Sequence, residues 1–222
     1  MTTNLPRRFD LIVFDWDGTL FDSTALIVRC IQDACADLGV AVPSDEAAAY
    51  VIGLGLHDAL RHAVPGLHPE RYPVLAQRYR SHYFARQHEL SLFEGALEML
   101  QALKGRHHWL AVATGKARRG LDEALAHSQL AGLFDATRTA DETASKPDPR
   151  MLLELMREFG AEAERTLMIG DTTHDLQLAA NAGTPSLAVS YGAHEPEAFA
   201  AHRPLAVLHS VAELRGWLIE HA

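Results

Sequence analysis

The sequence predicts an α/β protein in which a parallel-sheet core is interrupted by a long helical insert. Three observations carry this. Near the N-terminus an apolar run, Leu11, Ile12, Val13 and Phe14, stops at two aspartates separated by one residue, Asp15 and Asp17. A continuous apolar run of this length, bounded by a turn that Gly18 permits, suits a central parallel strand covered on both faces. From Ser23 to Leu90 the pattern is helical and contains no strand, whereas from Leu92 onward helices alternate with short apolar strands. That alternation is the signature of a parallel sheet with crossover helices. The first strand therefore belongs with the sheet that resumes after Leu92. The expected partition is a discontinuous core, residues 1–21 and 91–222, around an all-helical segment, residues 22–90.

Taken in order, Asp22 or Ser23 can cap a helix to about Leu38, which Gly39 ends ahead of Pro43. A second helix begins near Ser44. The stretch VIGLGLHDAL breaks at Gly53 and Gly55 and resumes as helix, and a longer helix covers residues 69–88. The alternating half reads as helix 95–104, strand 109–113, helix 118–127, strand 134–137, helix 149–159, strand 166–169 and helix 173–182. Strand 186–189, a helix near 195–201, a short strand 205–208 and helix 211–219 complete it.

A chain of 222 residues with 48% hydrophobic content can bury a full core. No apolar run approaches the length of a membrane helix, and MTTNLPRRFD lacks the apolar centre of a secretion signal, so a cytoplasmic location is expected. Cys30 and Cys35 stand five residues apart on one expected helix, point in different directions, and read as packing residues of a reducing compartment. With 29 acidic against 20 basic residues, the net charge of -9 disfavours a general role on nucleic acid or anionic membrane. An anionic substrate stays open where positive charges converge. His57, His62, His68, His82 and His88 lack the paired spacing of a zinc motif and are expected at the solvated surface. The chain is expected to be a monomer or homodimer.

In open parallel sheets ligands bind beyond the carboxyl ends of the strands, and the residues there are chemically matched. Strand one ends in Asp15 and Asp17, the next in Thr114-Gly115-Lys116, the third leads to Ser145-Lys146-Pro147, and the fourth ends in Gly170-Asp171-Thr172-Thr173-His174-Asp175. Thr114 offers a hydroxyl, and Gly115 lets an amide approach a ligand at a helix start, where anions are favoured; the same pair would also serve as a plain helix cap. Lys116 either meets substrate or points to solvent. Lys146 sits on a stiff, extended approach set by Pro147 and Pro149. Asp171 repeats the arrangement of Asp15, and Asp175 lies one helical turn further on. Four carboxylates around one sheet edge, with one lysine and one hydroxyl, require a hard cation bound by oxygen and suit a phosphoryl group.

These segments resemble the four motifs of the haloacid dehalogenase superfamily of phosphohydrolases: DWDGTLFDS, ATGK, Lys146 within SKPDP, and GDTTHD, in the family's order over residues 9–183. The core is then Rossmann-like, and the insert resembles the family's helical cap of the first type. The wording ATGKARRGLDEAL and GDTTHDLQLAANAG is most similar to the phosphoglycolate phosphatase group, with Trp16 an unusual choice between the two aspartates. The resemblance implies a magnesium-dependent phosphatase for a small phosphate monoester, 2-phosphoglycolate first. A broad sugar or nucleotide phosphatase and a β-phosphoglucomutase-like mutase stand as alternatives.

The resemblance further implies Asp15 as nucleophile, forming an aspartyl phosphate, and Asp17 as the acid that protonates the leaving oxygen and then the base that activates water. Thr114, the Gly115 amide and Lys146 would hold the non-bridging oxygens, with Gly18, Thr19 and Lys116 also at the substrate. Mg2+ would be held by Asp15, Asp171 and the main-chain carbonyl of Asp17, with Asp175 positioning Lys146 or serving the metal. Asp17 argues against a dehalogenase, and the large insert against a receiver-like phosphoacceptor module. Gly53-Leu54-Gly55-Leu56 is the expected specificity loop, or else a plain helix–helix connection. Arg61, Lys116, Arg118 and Arg119 are the cations available to a second substrate charge.

Overall fold

A computed structural model describes residues 7–130 and 132–222; the first six residues of the expected core lie outside these. Six parallel strands make one sheet: β1 (Leu11–Phe14), β2 (Trp109–Thr114), β3 (Ala136–Thr139), β4 (Thr166–Gly170), β5 (Ser186–Val189) and β6 (Val207–Leu208). Their order is β3-β2-β1-β4-β5-β6, so the chain moves outward from β1 in one direction and then restarts beside it in the other. The strand order therefore reverses between β1 and β4, and that is where a doubly wound sheet opens a ligand crevice.

The apolar run of β1 is buried on both faces because successive side chains alternate. Ile12 and Phe14 pack with Met99, Leu100 and Leu103 of α5 (Ala96–Gly105) and Leu214 and Leu218 of α9 (Val211–His221). Leu11 and Val13 face Met151, Leu152 and Leu155 of α7 (Arg150–Phe159) and Leu178 of α8 (Thr173–Ala182). The remaining core helix, α6 (Arg118–His127), follows β2 and buries Leu121.

The insert folds as four helices: α1 (Thr24–Asp37), α2 (Asp45–Tyr50), α3 (Leu56–Ala63) and α4 (Tyr72–Arg86). They share an apolar cluster of their own, in which Leu26, Cys30 and Ile31 of α1 meet Leu75 and Tyr83 of α4. Cys30 and Cys35 are buried free thiols there. His57, His62, His68 and His88 are exposed, and His82 is half-buried against Asp37. Among the described residues, no helix is long and apolar enough to cross a membrane.

Several expected elements differ in detail, among them the last strand, expected over 205–208 and formed by Val207–Leu208. The third strand runs two residues later than the apolar run implies, because Phe134 packs on Trp16 instead of pairing. The edge strand itself is polar, with Arg138 paired to Glu154 and Glu158. The expected helix over 69–88 is α4 flanked by 3-10 turns at Pro69–Arg71 and Gln87–Glu89, and the segment near 195–201 is a 3-10 helix, Pro196–His202.

Candidate active site

The two-residue period that buries β1 continues past its end and sorts the DWD triplet. Trp16 turns inward, stacks on Phe21 with ring centroids 4.8 Å apart, and joins the core cluster. Asp15 and Asp17 therefore face the opposite way, into the crevice. Asp15 continues the pairing with β4, its amide donating to the Ile169 carbonyl at 2.9 Å. The chain then reverses through Gly18, which has φ of 81°. A side chain at that position would run into the Asp171 carboxylate, so glycine is required both for the backbone and for space.

Asp15, Asp171 and Asp175 converge, offering carboxylate oxygens within 4.8 Å of one another. All three are buried, as is Lys146. The Lys146 ammonium donates to Asp15 Oδ1 at 2.5 Å and to Asp175 Oδ1 at 2.6 Å, so the lysine is an internal counter-ion to two of the three carboxylates. Burial alone would lower the lysine pKa; the two carboxylates outweigh it and hold the ammonium charged. Asp15 is pushed well above the usual carboxylate range by burial, which Lys146 only partly opposes while Asp175 and Asp171 add to it. Asp171 is pushed up to about 7 by burial and by Asp175, against the pull of the Ala193 amide and the Thr19 hydroxyl.

Asp171 is fixed by Thr19 Oγ1 at 2.7 Å and by the Ala193 amide at 2.8 Å. Asp175 is fixed by Thr172, whose amide and hydroxyl both donate to Asp175 Oδ2, closing a capping box at the start of α8. Asp15 Oδ2 is buried without a hydrogen-bond partner. An orphaned carboxylate oxygen beside two more carboxylates, with hard oxygen donors throughout, fits a divalent cation such as magnesium.

Asp17 belongs to a second group. Its Oδ1 accepts from Ser23 Oγ at 2.7 Å and lies 3.0 Å from the Lys116 ammonium. Lys116 in turn donates to the Tyr83 hydroxyl at 2.8 Å and sits 4.6 Å from the centroid of that ring. The strand end of β2 is thus tied to α4 of the insert through one lysine. Its charge is retained because Asp17 and Tyr83 outweigh the effect of burial.

The loop between α2 and α3 presses on the same place. A side chain on Gly115 would run into the carbonyl oxygens of Leu54 and Gly53. The Gly55 amide donates to Ser145 Oγ at 2.8 Å, one residue before Lys146. Gly115→Ala is therefore expected to lift the loop off the core and lower kcat/KM by about 10–100-fold while leaving the far-ultraviolet circular dichroism unchanged. Wild-type kinetics in that variant would show that the loop does not seal the site.

The sequence candidates fall into four places. Asp15, Lys146, Asp171 and Asp175 are in direct contact or adjacent, with Thr19 holding Asp171; Thr19 is fully buried and its hydroxyl is committed there. Asp17, Gly115 and Lys116 line the cavity between core and insert, together with Gly53, Leu54 and Leu56. Thr114 is buried at the end of β2, its hydroxyl accepting from the Lys116 amide at 3.2 Å. Gly55 faces Ala140 and Ser145, and the Asp17 carboxylate stands outside the three-carboxylate cluster. Sequence reasoning missed Ser23, read as a helix cap although its hydroxyl serves Asp17, and it missed Tyr83. It also missed Ala193, which follows β5 and could have been found by carrying the strand-end rule one strand further.

The fold is a doubly wound α/β core with a helical insert, and its buried carboxylates and lysine gather at the switch point of the sheet. Residues 12–189 match the haloacid dehalogenase-like hydrolase family, and the chain belongs to that family. It is 35% identical over 214 residues to a protein of Dickeya dadantii named Probable phosphatase IndB, covering 93% of this chain and 92% of that one. It is 32% identical over 203 residues to a phosphoglycolate phosphatase of Aliivibrio fischeri, covering 87% and 89%. The solved structure of a hydrolase from Pseudomonas syringae shares the fold, with a TM-score of 0.85 at 22% identity over 96% of this chain and 99% of that one.

Proposed function

We propose that the chain is a magnesium-dependent phosphatase that hydrolyses phosphate monoesters through an aspartyl phosphate on Asp15. The observation that carries this reading is the Lys146 bridge between Asp15 and Asp175, beside Asp171 and an unpartnered Asp15 oxygen. An oxygen of Asp15 attacks phosphorus as the bond from phosphorus to the ester oxygen breaks, and Asp17 delivers its proton to that leaving oxygen. Asp17 then takes a proton from water as the water oxygen bonds to phosphorus and the Asp15 oxygen departs. Thr114, the Gly115 amide and the Lys146 ammonium hold the non-bridging oxygens. Asp15, Asp171 and Asp175 would hold the magnesium, which when bound stabilises the ionised carboxylates and draws charge from the phosphoryl oxygens.

The insert, residues 22–90, acts in this reading as a cap that excludes water, supported by the Gly53-Leu54 contact on Gly115 and the Tyr83 bond to Lys116. The wording of the motifs and the name of one relative point to phosphoglycolate, a substrate that the apolar cavity beside Asp17 does not favour. The free, buried cysteines accord with a reducing cytoplasm. Turnover of p-nitrophenyl phosphate is expected with magnesium, is lost in chelator and returns when magnesium is restored. Undiminished turnover in chelator removes the metal from the reading, and activity confined to haloacids moves the chain to dehalogenation.

A further inference from the structure

The sequence offers Arg61, Lys116, Arg118 and Arg119 to a second negative charge on the substrate, and the structure commits each elsewhere. Arg61 lies 5.6 Å from the Tyr72 ring centroid, and Arg118 binds Glu142, Asp122 and Thr137. Neither lines the cavity that opens beside Asp17. Arg119 does, but it donates to Glu123 at 2.9 Å and rests on Phe84. Lys116 is held between Asp17 and Tyr83. Among the described residues Arg80 is the other cation lining the cavity, and it is exposed, where water and salt weaken its hold on an anion.

The cavity itself holds about 420 Å³, and its walls come from Ile27 and Ile31 of α1, Leu54 of the loop, and Tyr79, Tyr83 and Phe84 of α4. The Tyr79 and Tyr83 rings lie 25° from parallel with centroids 6.0 Å apart. Pockets of roughly 300–1,000 Å³ enclose ligands far larger than a two-carbon acid. Such an acid would leave most of these walls facing water, and its carboxylate would lose hydration with no uncommitted buried cation to replace it. An uncharged body with a flat face covers the apolar walls and stacks on the aromatic ones. Because Asp17 lines this cavity, the group it protonates on departure is the one that occupies it.

Resting on the phosphatase reading above, we infer that the alcohol half of the substrate is uncharged and carries an aromatic ring, seated against Tyr79, Tyr83 and Phe84. Two measurements on the full chain test this. The first compares kcat/KM, with magnesium, for 2-phenylethyl phosphate, 2-phosphoglycolate and glucose 6-phosphate. The second measures the dissociation constants of the same esters by calorimetry on Asp15→Asn. The ring-bearing ester is expected to lead by at least about 100-fold in kcat/KM and to bind in the same order. Phe84→Ala is expected to lower kcat/KM for it about 10-fold more than for phosphoglycolate. If phosphoglycolate or glucose 6-phosphate is turned over as well as the ring ester, the inference is overturned while the phosphatase reading stands. If nothing is turned over but Asp15→Asn prefers the ring ester, the pocket assignment holds and the phosphatase reading falls. No turnover and no preference overturns both.

Discussion

Asp15→Asn is expected to lower turnover by at least about 10⁴-fold, since an amide oxygen is a poor nucleophile toward phosphorus. Its fold is expected to survive, because Asn keeps the volume and Lys146 keeps its bond to Asp175. Thermal unfolding should accordingly shift by only a few degrees. Asp17→Asn is expected to cost about 10²–10⁴-fold by removing the proposed acid and base while Ser23 still has an oxygen to bond. Steady-state assay with mass spectrometry decides the matter. Substantial Asp15→Asn activity without deamidation back to aspartate excludes covalent catalysis at that residue.

Lys146→Met keeps most of the buried stem and deletes the charge, leaving three buried carboxylates with no ammonium between them. Removing one member of a buried ion pair costs about 3–5 kcal/mol, and loss of the phosphoryl contact should lower turnover by about 10²–10³-fold. The stability cost is expected to depend on pH in a defined direction. The folded-state pKa values of Asp15 and Asp171 are raised above those of the unfolded chain, so the folded state binds more protons in between. Their contribution is fully present below the unfolded values near 3.9 and is lost as pH rises through the folded values, about 7 for Asp171. Urea unfolding without metal should therefore show the gap between variant and wild type narrowing from about pH 8 to about pH 5. An equal gap at both ends would mean that the lysine stabilises through packing of its stem.

How much of this was legible in the chain depended on which physical rule governed each part. The central strand, the helical insert and the strand-end grouping of Asp15, Lys146, Asp171 and Asp175 followed from periodicity and topology, which act over few residues. The start of β3 did not, because an edge strand pairs through its backbone and can carry Thr137 and Arg138 where a central strand needs apolar residues. Ser23 was hidden by its own plausibility as a helix cap, a local role that competes for the same hydroxyl. Tyr83 was hidden for a different reason. Its bond to Lys116 joins residues 33 apart, and no local pattern announces such a contact.

The inward turn of Trp16 has a consequence for how this site can change over generations. Its indole is clamped by Phe21 and Phe134, so the direction in which the flanking aspartates point is set by the shape of the hydrophobic interior beneath them. A close-packed interior transmits even a one-methylene misfit to its neighbours. Substitutions around Trp16 would therefore disturb aim and stability at once, and lineages should tolerate few of them. The half-buried walls Tyr79 and Phe84 of α4 do not support the aspartates in this way, so adaptation to a new leaving group has freer passage there.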